Sequence, residues 1–368
     1  MTPPRVLVAV HGKSGSIEAV RAHGLTRLHP PDRLAFVYRE PSPTETIACW
    51  DRTVRQFRPD LVYLLNTAFP GALLAPWWRL ISGVPFVLDT GDAVYEMART
   101  SGIGGGWKLP ALWAFENLLH RSAAGLVVRG TRHREYLESR GVGPVQVIRD
   151  GYLEGPPVSP DALVELRRKW GLTDRFVLGL MGSTVYSPRL KICYGWDLIR
   201  ALAQLRDAPV MGLIIGDGTG LPWLRAQAEQ WGVADRVVFT GRIPYAEVPA
   251  YLRLMDVAMS TQTNNLPGQV RTTGKLPEYM AVERFILASR VGEASLILPD
   301  SMLLDYHGEV DLGYPARIAE RVRLLLRRKD LMDLRHTLPA KARELFSYDV
   351  LAREWSAFVG HVAGGVQV

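Results

Sequence analysis

The stretch Asp256-Val257-Ala258-Met259-Ser260, followed by Gly268-Gln269-Val270-Arg271-Thr272-Thr273-Gly274-Lys275-Leu276-Pro277-Glu278-Tyr279-Met280-Ala281 and then Arg284-Phe285-Ile286-Leu287-Ala288-Ser289, decides the reading of this chain. It spells an apolar strand, a polar loop that opens into a short helix, and a second apolar strand. In open α/β sheets such a loop lies at the carboxyl end of a parallel strand, where ligands bind. The unpaired N–H groups and the dipole of a helix start favour anions, so Thr272, Thr273, Gly274 and Lys275 form a candidate phosphate-holding loop. Glu278 adds a carboxylate one turn further on.

The same grammar extends in both directions. Runs rich in Val, Ile and Leu with helical segments between them predict parallel sheets wound on both faces. In the first half they fall at 6–10, 34–38, 61–65, 86–90, 126–128 and 145–148, and in the second at 176–181, 211–215, 237–240, 257–259 and 285–287. Between the two series lies Gly151-Tyr152-Leu153-Glu154-Gly155-Pro156-Pro157, whose Gly and Pro content suits a linker. The expected fold class is α/β, with two facing Rossmann-like domains over residues 1–152 and 153–346 and a cleft between them. A last helix within 347–368 is expected to pack back toward the first domain. A length of 368 residues fits two cores.

Composition narrows the function classes. The chain is 47% hydrophobic and 22% charged, as ordinary globular proteins are, and its net charge of +7 favours anionic partners. Its basic residues are scattered, without the dense run of a nucleic-acid tail, so no nucleic-acid partner is expected. Cys49 and Cys193 are far apart, which predicts free thiols and a reducing, cytoplasmic setting. No secretory leader and no span of about 20 apolar residues is read. The eight histidines show no metal-ligand spacing, so no metal site is expected.

Other loops at strand ends supply further candidates. His11-Gly12-Lys13-Ser14-Gly15-Ser16 is no P-loop, because Leu7 stands where that motif needs glycine. Gly12 and Gly15 then mark either a tight turn or a ligand contact. Gly216-Asp217-Gly218-Thr219-Gly220 has Leu221 where a dinucleotide fingerprint needs its third glycine, so hydride transfer is not expected. Gly182 opens the matching loop after 176–181, and Arg189 and Lys191 follow as cations suited to a departing diphosphate or to plain solvation. Asp89-Thr90-Gly91-Asp92 brings two carboxylates to a strand end, for acceptor chemistry or for capping. Trp77, Trp78, Arg79, Trp107, Lys108, Trp113 and Phe115 concentrate aromatics beside cations; core packing is expected for most, with Trp107-Lys108 the least core-like.

Taken together these segments resemble the retaining nucleotide-sugar glycosyltransferases of the GT-B fold, family 4 type, over nearly the whole chain. Val147-Ile148-Arg149-Asp150-Gly151-Tyr152 looks like that family's linker strand. Gly212 to Gly218 looks like its Gly-Asp-Gly turn, and Val237 to Pro244, with Arg242 and Ile243, like the border of its base pocket. Gly274 to Ala281 is similar to its donor helix. The resemblance implies a hexosyltransferase of class EC 2.4 moving sugar from a UDP- or GDP-sugar to a hydroxyl of a glycan, a lipid-linked glycan or a small molecule. It needs no further cofactor and is cytoplasmic, or peripheral at the inner face of a membrane.

On that resemblance Glu278 holds the donor ribose, and Gly12, Gly15, Gly182, Gly216, Arg242, Ile243, Thr272, Thr273 and Gly274 border the donor. Arg189 and Lys191 lie near the family's diphosphate clamp; from the residues themselves, Lys275 is expected to join them in neutralising the diphosphate and Asp92 to serve the acceptor. The family's first glutamate is replaced by Val270, eight residues before Glu278. That departure opens a rival reading, a nucleotide-binding scaffold without turnover; a nucleotide-sugar epimerase of similar architecture is a third, less favoured because the donor-side segments resemble the transferases.

Overall fold

Alternation of the first strand's side chains to two faces sets the layout of the first unit. In a computed structural model that describes residues 2–102, 107–155, 157–272 and 274–365, β1 (Val6–Val10) is buried along its whole length. Leu7 and Ala9 join one core and Val6, Val8 and Val10 another, as the two-residue period of a strand requires. A strand covered on both faces is what its unbroken run of Val, Leu and Ala predicts.

Five parallel strands accompany it: β2 (Leu34–Val37), β3 (Leu61–Leu65), β4 (Phe86–Thr90), β5 (Gly125–Val128) and β6 (Val145–Val147), in the order β2-β1-β3-β4-β5-β6. One core packs Trp50 of helix Pro43–Phe57, Trp78 of helix Gly71–Ser82 and Leu119 of helix Lys108–Ser122 against the sheet. The other packs helix Ile17–Thr26 and the carboxyl-terminal helix Tyr348–Gly365, through Leu25, Leu351 and Trp355. Burial of each such Leu or Val stabilises by roughly 1.5–3 kcal/mol. The helices start where local chemistry says they should. Ser42 and Glu45 form a capping box, with Glu45 N donating to Ser42 Oγ at 3.2 Å and Ser42 N to Glu45 Oε2 at 3.2 Å.

The second unit has β7 (Phe176–Met181), the short antiparallel pair β8 (Tyr186–Ser187) and β9 (Ile192–Cys193), then β10 (Val210–Ile215), β11 (Val237–Gly241), β12 (Val257–Ser260), β13 (Phe285–Ser289) and β14 (Leu303–Leu304). Its six-stranded parallel sheet runs β11-β10-β7-β12-β13-β14. Strand order reverses between β7 and β12, so the crevice at their carboxyl ends is the place where such a sheet binds ligand. In the first unit the corresponding reversal lies between β1 and β3.

The chain divides into a unit of Met1–Gly151, Val270–Thr272 and Leu345–Val368 and a unit of Tyr152–Gln269 and Thr273–Glu344. Cys49 and Cys193 are free and belong to different units. Among the described residues no helix is long and apolar enough to cross a membrane.

Candidate active site

The loop before the decisive helix is shorter than the sequence suggests. Gly268, Gln269 and Val270 are already helical, in Leu266–Val270, and helix Lys275–Ala281 follows four residues later. Pro267 at the start of the first of these turns permits that, because proline suits the opening position of a helix. Gly274 is the N-cap of the second helix. Thr272 is buried, and no partner meets its hydroxyl oxygen; Thr273 lies outside the described residues.

Lys275, at the start of this helix, sits at the carboxyl end of β7. Its Nζ is 3.7 Å from the centre of the Tyr194 ring, and a Cβ placed on Gly182 would meet that Nζ at 3.2 Å. The ammonium therefore stands beside the strand-reversal point. Behind it Asp197 is buried, accepts from Thr261 Oγ1 at 2.6 Å and from Leu198 N at 3.1 Å, and attracts Lys275. Burial raises the Asp197 carboxyl, against the pull of those hydrogen bonds and of Lys275. The Tyr194 hydroxyl donates to the Met259 carbonyl at 3.2 Å, which fixes the ring plane under the lysine.

One turn along, Glu278 is 5% exposed and accepts from the Tyr245 hydroxyl at 2.5 Å. Burial pushes its carboxyl up to about 7, with the Tyr245 bond opposing. Met181 N, the last amide of β7, donates to the Tyr279 hydroxyl at 2.7 Å and ties helix to strand. A lysine and a glutamic acid with a raised carboxyl thus share one short helix at the switch point. The pair can neutralise an anion and hold a polyol.

The other candidate residues separate into several places. Gly216, with φ of 131°, packs backbone on backbone: a Cβ there would stand 2.1 Å from the Gly182 carbonyl oxygen. Gly182 and Gly216 are thus brought together with Lys275. Arg189 is ion-paired with Glu309, and both it and Lys191 are exposed in the turn between β8 and β9. Arg242 is exposed and Ile243 half-buried, in the loop after β11 that also carries Tyr245.

In the first unit Gly12 lies against the helix cap Ser16, whose hydroxyl would be 2.1 Å from an added Cβ, and Gly15 has φ of 83° with open space around it. Asp92 Oδ1 is 3.1 Å from Arg271 Nε. Of the two strand-end carboxylates read as serving acceptor chemistry or capping, Asp89 is fully buried with Arg21 Nε at 2.9 Å and the Tyr63 hydroxyl at 2.7 Å. It belongs to the core, because a buried carboxylate persists only when paired.

Core packing, expected for most of the aromatic set, fails for Trp77 and Trp113, which are exposed, while Trp107, read as the least core-like, is exposed too; of these tryptophans only Trp78 is buried. His120 and His133 are buried instead and held neutral, with burial lowering them to about 4 and about 3. Among the described residues no three His, Cys, Asp or Glu side chains gather as metal ligands.

Two six-stranded parallel sheets of this order, wound with helices, define the class of fold as GT-B. Comparison with known proteins then gives the family. The family described as "Glycosyl transferase 4-like domain" matches residues 5–151 and "Glycosyl transferases group 1" matches residues 176–327. The chain belongs to the glycosyltransferases and is a hexosyltransferase, EC 2.4.

It is 26% identical over 291 residues to a 2-deoxystreptamine glucosyltransferase of Streptomyces kanamyceticus, covering 74% of this chain and 69% of that protein. It is 31% identical over 273 residues to a GDP-mannose-dependent alpha-(1-6)-phosphatidylinositol monomannoside mannosyltransferase of Mycobacterium tuberculosis, covering 70% of this chain and 63% of that protein. The crystal structure of Anabaena Alr3699/HepE in complex with UDP-glucose superposes with a TM-score of 0.76 at 17% identity, over 97% of this chain and 100% of that one.

Proposed function

We propose that this chain transfers a hexosyl group from a nucleoside-diphosphate hexose to an acceptor hydroxyl with retention of anomeric configuration. The observation that carries the reading is the placement of Lys275 and Glu278 on one helix at the β7/β12 switch point, with Lys275 Nζ beside Gly182. We assign the donor to the second unit, with Glu278 toward the ribose and Lys275 toward the diphosphate; the acceptor we assign to the first unit, with Asp92 as its polar group.

The anomeric C–O bond to the diphosphate breaks as the acceptor oxygen bonds to the anomeric carbon, and the acceptor proton passes to the leaving phosphate. Charge builds on the diphosphate as the bond breaks. A fixed ammonium placed there lowers the barrier more than it strengthens ground-state binding. Arg189 and Lys191 are assigned to the same anion only through movement of their turn, since Arg189 is paired to Glu309.

The relatives named above include a glucosyl- and a mannosyltransferase, the latter GDP-mannose-dependent, and the Anabaena protein binds UDP-glucose. A UDP- or GDP-hexose donor is the reading these support, with a glycan, lipid-linked glycan or small molecule as acceptor. A thermal-shift panel of UDP, GDP, ADP, TDP and CMP tests it, because ligand at a hundredfold its Kd stabilises by about 2.7 kcal/mol. One diphosphate is expected to raise Tm, Glu278→Ala to abolish the rise, and the matching sugar nucleotide to give transfer. Binding without transfer to any acceptor, with Val270 in place of the family's glutamate, returns the scaffold reading.

A further inference from the structure

We infer that Tyr245 is a positioning residue for the donor. It turns the Glu278 carboxyl so that the second oxygen meets the ribose hydroxyls, and it thereby makes the site select ribonucleoside diphosphates. The inference deepens, and rests on, the assignment of Glu278 to the ribose made above.

The loop that carries Tyr245 is stiff. Pro244, shortly beyond β11, holds φ at −58°, as its ring requires. Residues Tyr245–Glu247 close a single 3-10 turn, with Glu247 N donating to the Pro244 carbonyl at 3.0 Å. Helix Val248–Leu252 follows directly and buries Val248, Tyr251 and Leu252. A proline on one side and buried side chains on the other hold the turn in place. Glu278 is as firmly set: its neighbours Pro277 and Tyr279 are buried, and Tyr279 is bonded to the end of β7. The Tyr245–Glu278 bond therefore joins two fixed elements 33 residues apart in the chain.

Its two ends differ in surroundings. Tyr245 is 37% exposed and Glu278 only 5%, so the hydroxyl reaches inward to meet Oε1 at 2.5 Å. Among the described residues no donor meets Oε2. An acceptor left unpaired in so buried a residue is costly, and a ligand hydroxyl relieves that cost. Holding Oε1 also fixes the carboxyl plane before the ligand arrives, which spares the rotamer entropy that binding otherwise consumes. A nucleotide without ribose hydroxyls leaves Oε2 unpaired, and a site built for a hydroxyl rejects the analogue that lacks it.

A buried carboxyl gains from any partner, so a change in melting temperature alone is no test of positioning. Isothermal titration of the full chain with UDP and GDP, and with their 2′,3′-dideoxy analogues, reads the ribose directly. Wild type should bind the ribonucleotide of the preferred base about tenfold or more tightly than its dideoxy analogue. Tyr245→Phe keeps the ring and should weaken the ribonucleotide about tenfold while leaving the dideoxy analogue nearly unchanged, which brings the ratio toward one. In a Glu278→Ala background Tyr245→Phe should have no further effect, because a residue that acts through another is fully coupled to it.

Thermal melting shows each variant folded, and the wild-type ratio needs no variant at all. A Tyr245→Phe protein that keeps the wild-type ratio, while Glu278→Ala loses it, would overturn the inference and leave the ribose assignment standing. A wild-type ratio near one, a ratio that survives Glu278→Ala, or no binding of either diphosphate would remove the ribose assignment and the inference with it. Additive losses in the double variant would show Tyr245 acting apart from Glu278 and would overturn the positioning role.

Discussion

The Lys275 ammonium lies 3.7 Å from the centre of the Tyr194 ring, and that ring is held in place by its hydroxyl's bond to the Met259 carbonyl. An ammonium over an aromatic face is attracted by about 2 kcal/mol when desolvated, which corresponds to roughly thirtyfold in affinity. Tyr194→Leu should therefore weaken diphosphate binding by up to about that factor, with Tyr194→Phe losing much less because the ring face remains. Isothermal titration of both variants with the diphosphate found in the thermal-shift panel checks this. Equal affinity for Leu and Phe would show that the ring does not position the lysine.

Glu278 gives the fold a pH dependence of known sign. Its carboxyl is pushed up to about 7 in the native chain, from an ordinary value of 4.5. Between those values the native state binds more protons than the unfolded one, so stability falls as pH rises through that window and is flat on either side for this group. The full span corresponds to about 3 kcal/mol. Glu278→Gln, neutral at every pH, should remove this component. Its melting temperature should therefore gain on that of the wild type from pH 5 to pH 8. A constant difference between the two curves would contradict the assignment. If Glu278 meets the donor as proposed, bound nucleotide should shift the same titration.

Much of this architecture was legible because parallel strands buried on both faces are continuous Val, Ile and Leu runs; all eleven expected runs are strands, within a residue or two. Order within each sheet was not legible, since pairing of β7 with both β10 and β12 depends on contacts across 30 to 80 residues. The two-residue strands β8, β9 and β14 are too short to carry a period.

At the site, Lys275 and Glu278 were visible through their helix. Asp197 and Tyr194 were not, although an aspartate within the apolar run Trp196-Asp197-Leu198-Ile199 signals a charge on a buried face. Tyr245 gave no signal at all, because its link to Glu278 spans 33 residues. Trp77 was misread as core because helix Gly71–Ser82 carries large apolar side chains on two sides, and periodicity cannot say which side faces the sheet.

Arg21 and Asp89 show how far chemistry-bearing residues serve the fold alone. Arg21 Nε reaches Asp89 Oδ2 at 2.9 Å, its Nη1 reaches the Arg149 carbonyl at 2.6 Å, and its Nη2 reaches the Ile148 carbonyl at 2.8 Å. Without Asp89, Arg21 keeps Asp150 Oδ1 at 3.1 Å and the two carbonyls but loses the fully buried carboxylate, and the Tyr63 hydroxyl loses its acceptor; breaking such a buried pair costs about 3 kcal/mol. Asp89→Ala should therefore lower the unfolding free energy by that amount, read as a lower urea midpoint at unchanged m. Asp92→Asn should leave stability nearly unchanged, because Asp92 is only partly buried. Urea melts of the two variants distinguish them, and equal midpoints would return Asp89 to the list of site candidates.

Gly216 and Gly15 separate two reasons for glycine at positive φ. At Gly15, with φ of 83°, a Cβ meets nothing within 4 Å, so Gly15→Ala carries only backbone strain, about 1 kcal/mol. At Gly216, with φ of 131°, the same Cβ would stand 2.1 Å from the Gly182 carbonyl oxygen, and two backbones must part. Gly216→Ala should cost roughly 1–3 kcal/mol more than Gly15→Ala. Gly182 lies beside Lys275 Nζ, so its displacement should also weaken diphosphate binding, which Gly15→Ala should leave intact if Gly15 only turns the chain. Parallel urea melts and diphosphate titrations measure both effects. A Gly216→Ala protein that is destabilised but binds normally would mean that the lysine, and not the strand-end backbone, sets the anion's position.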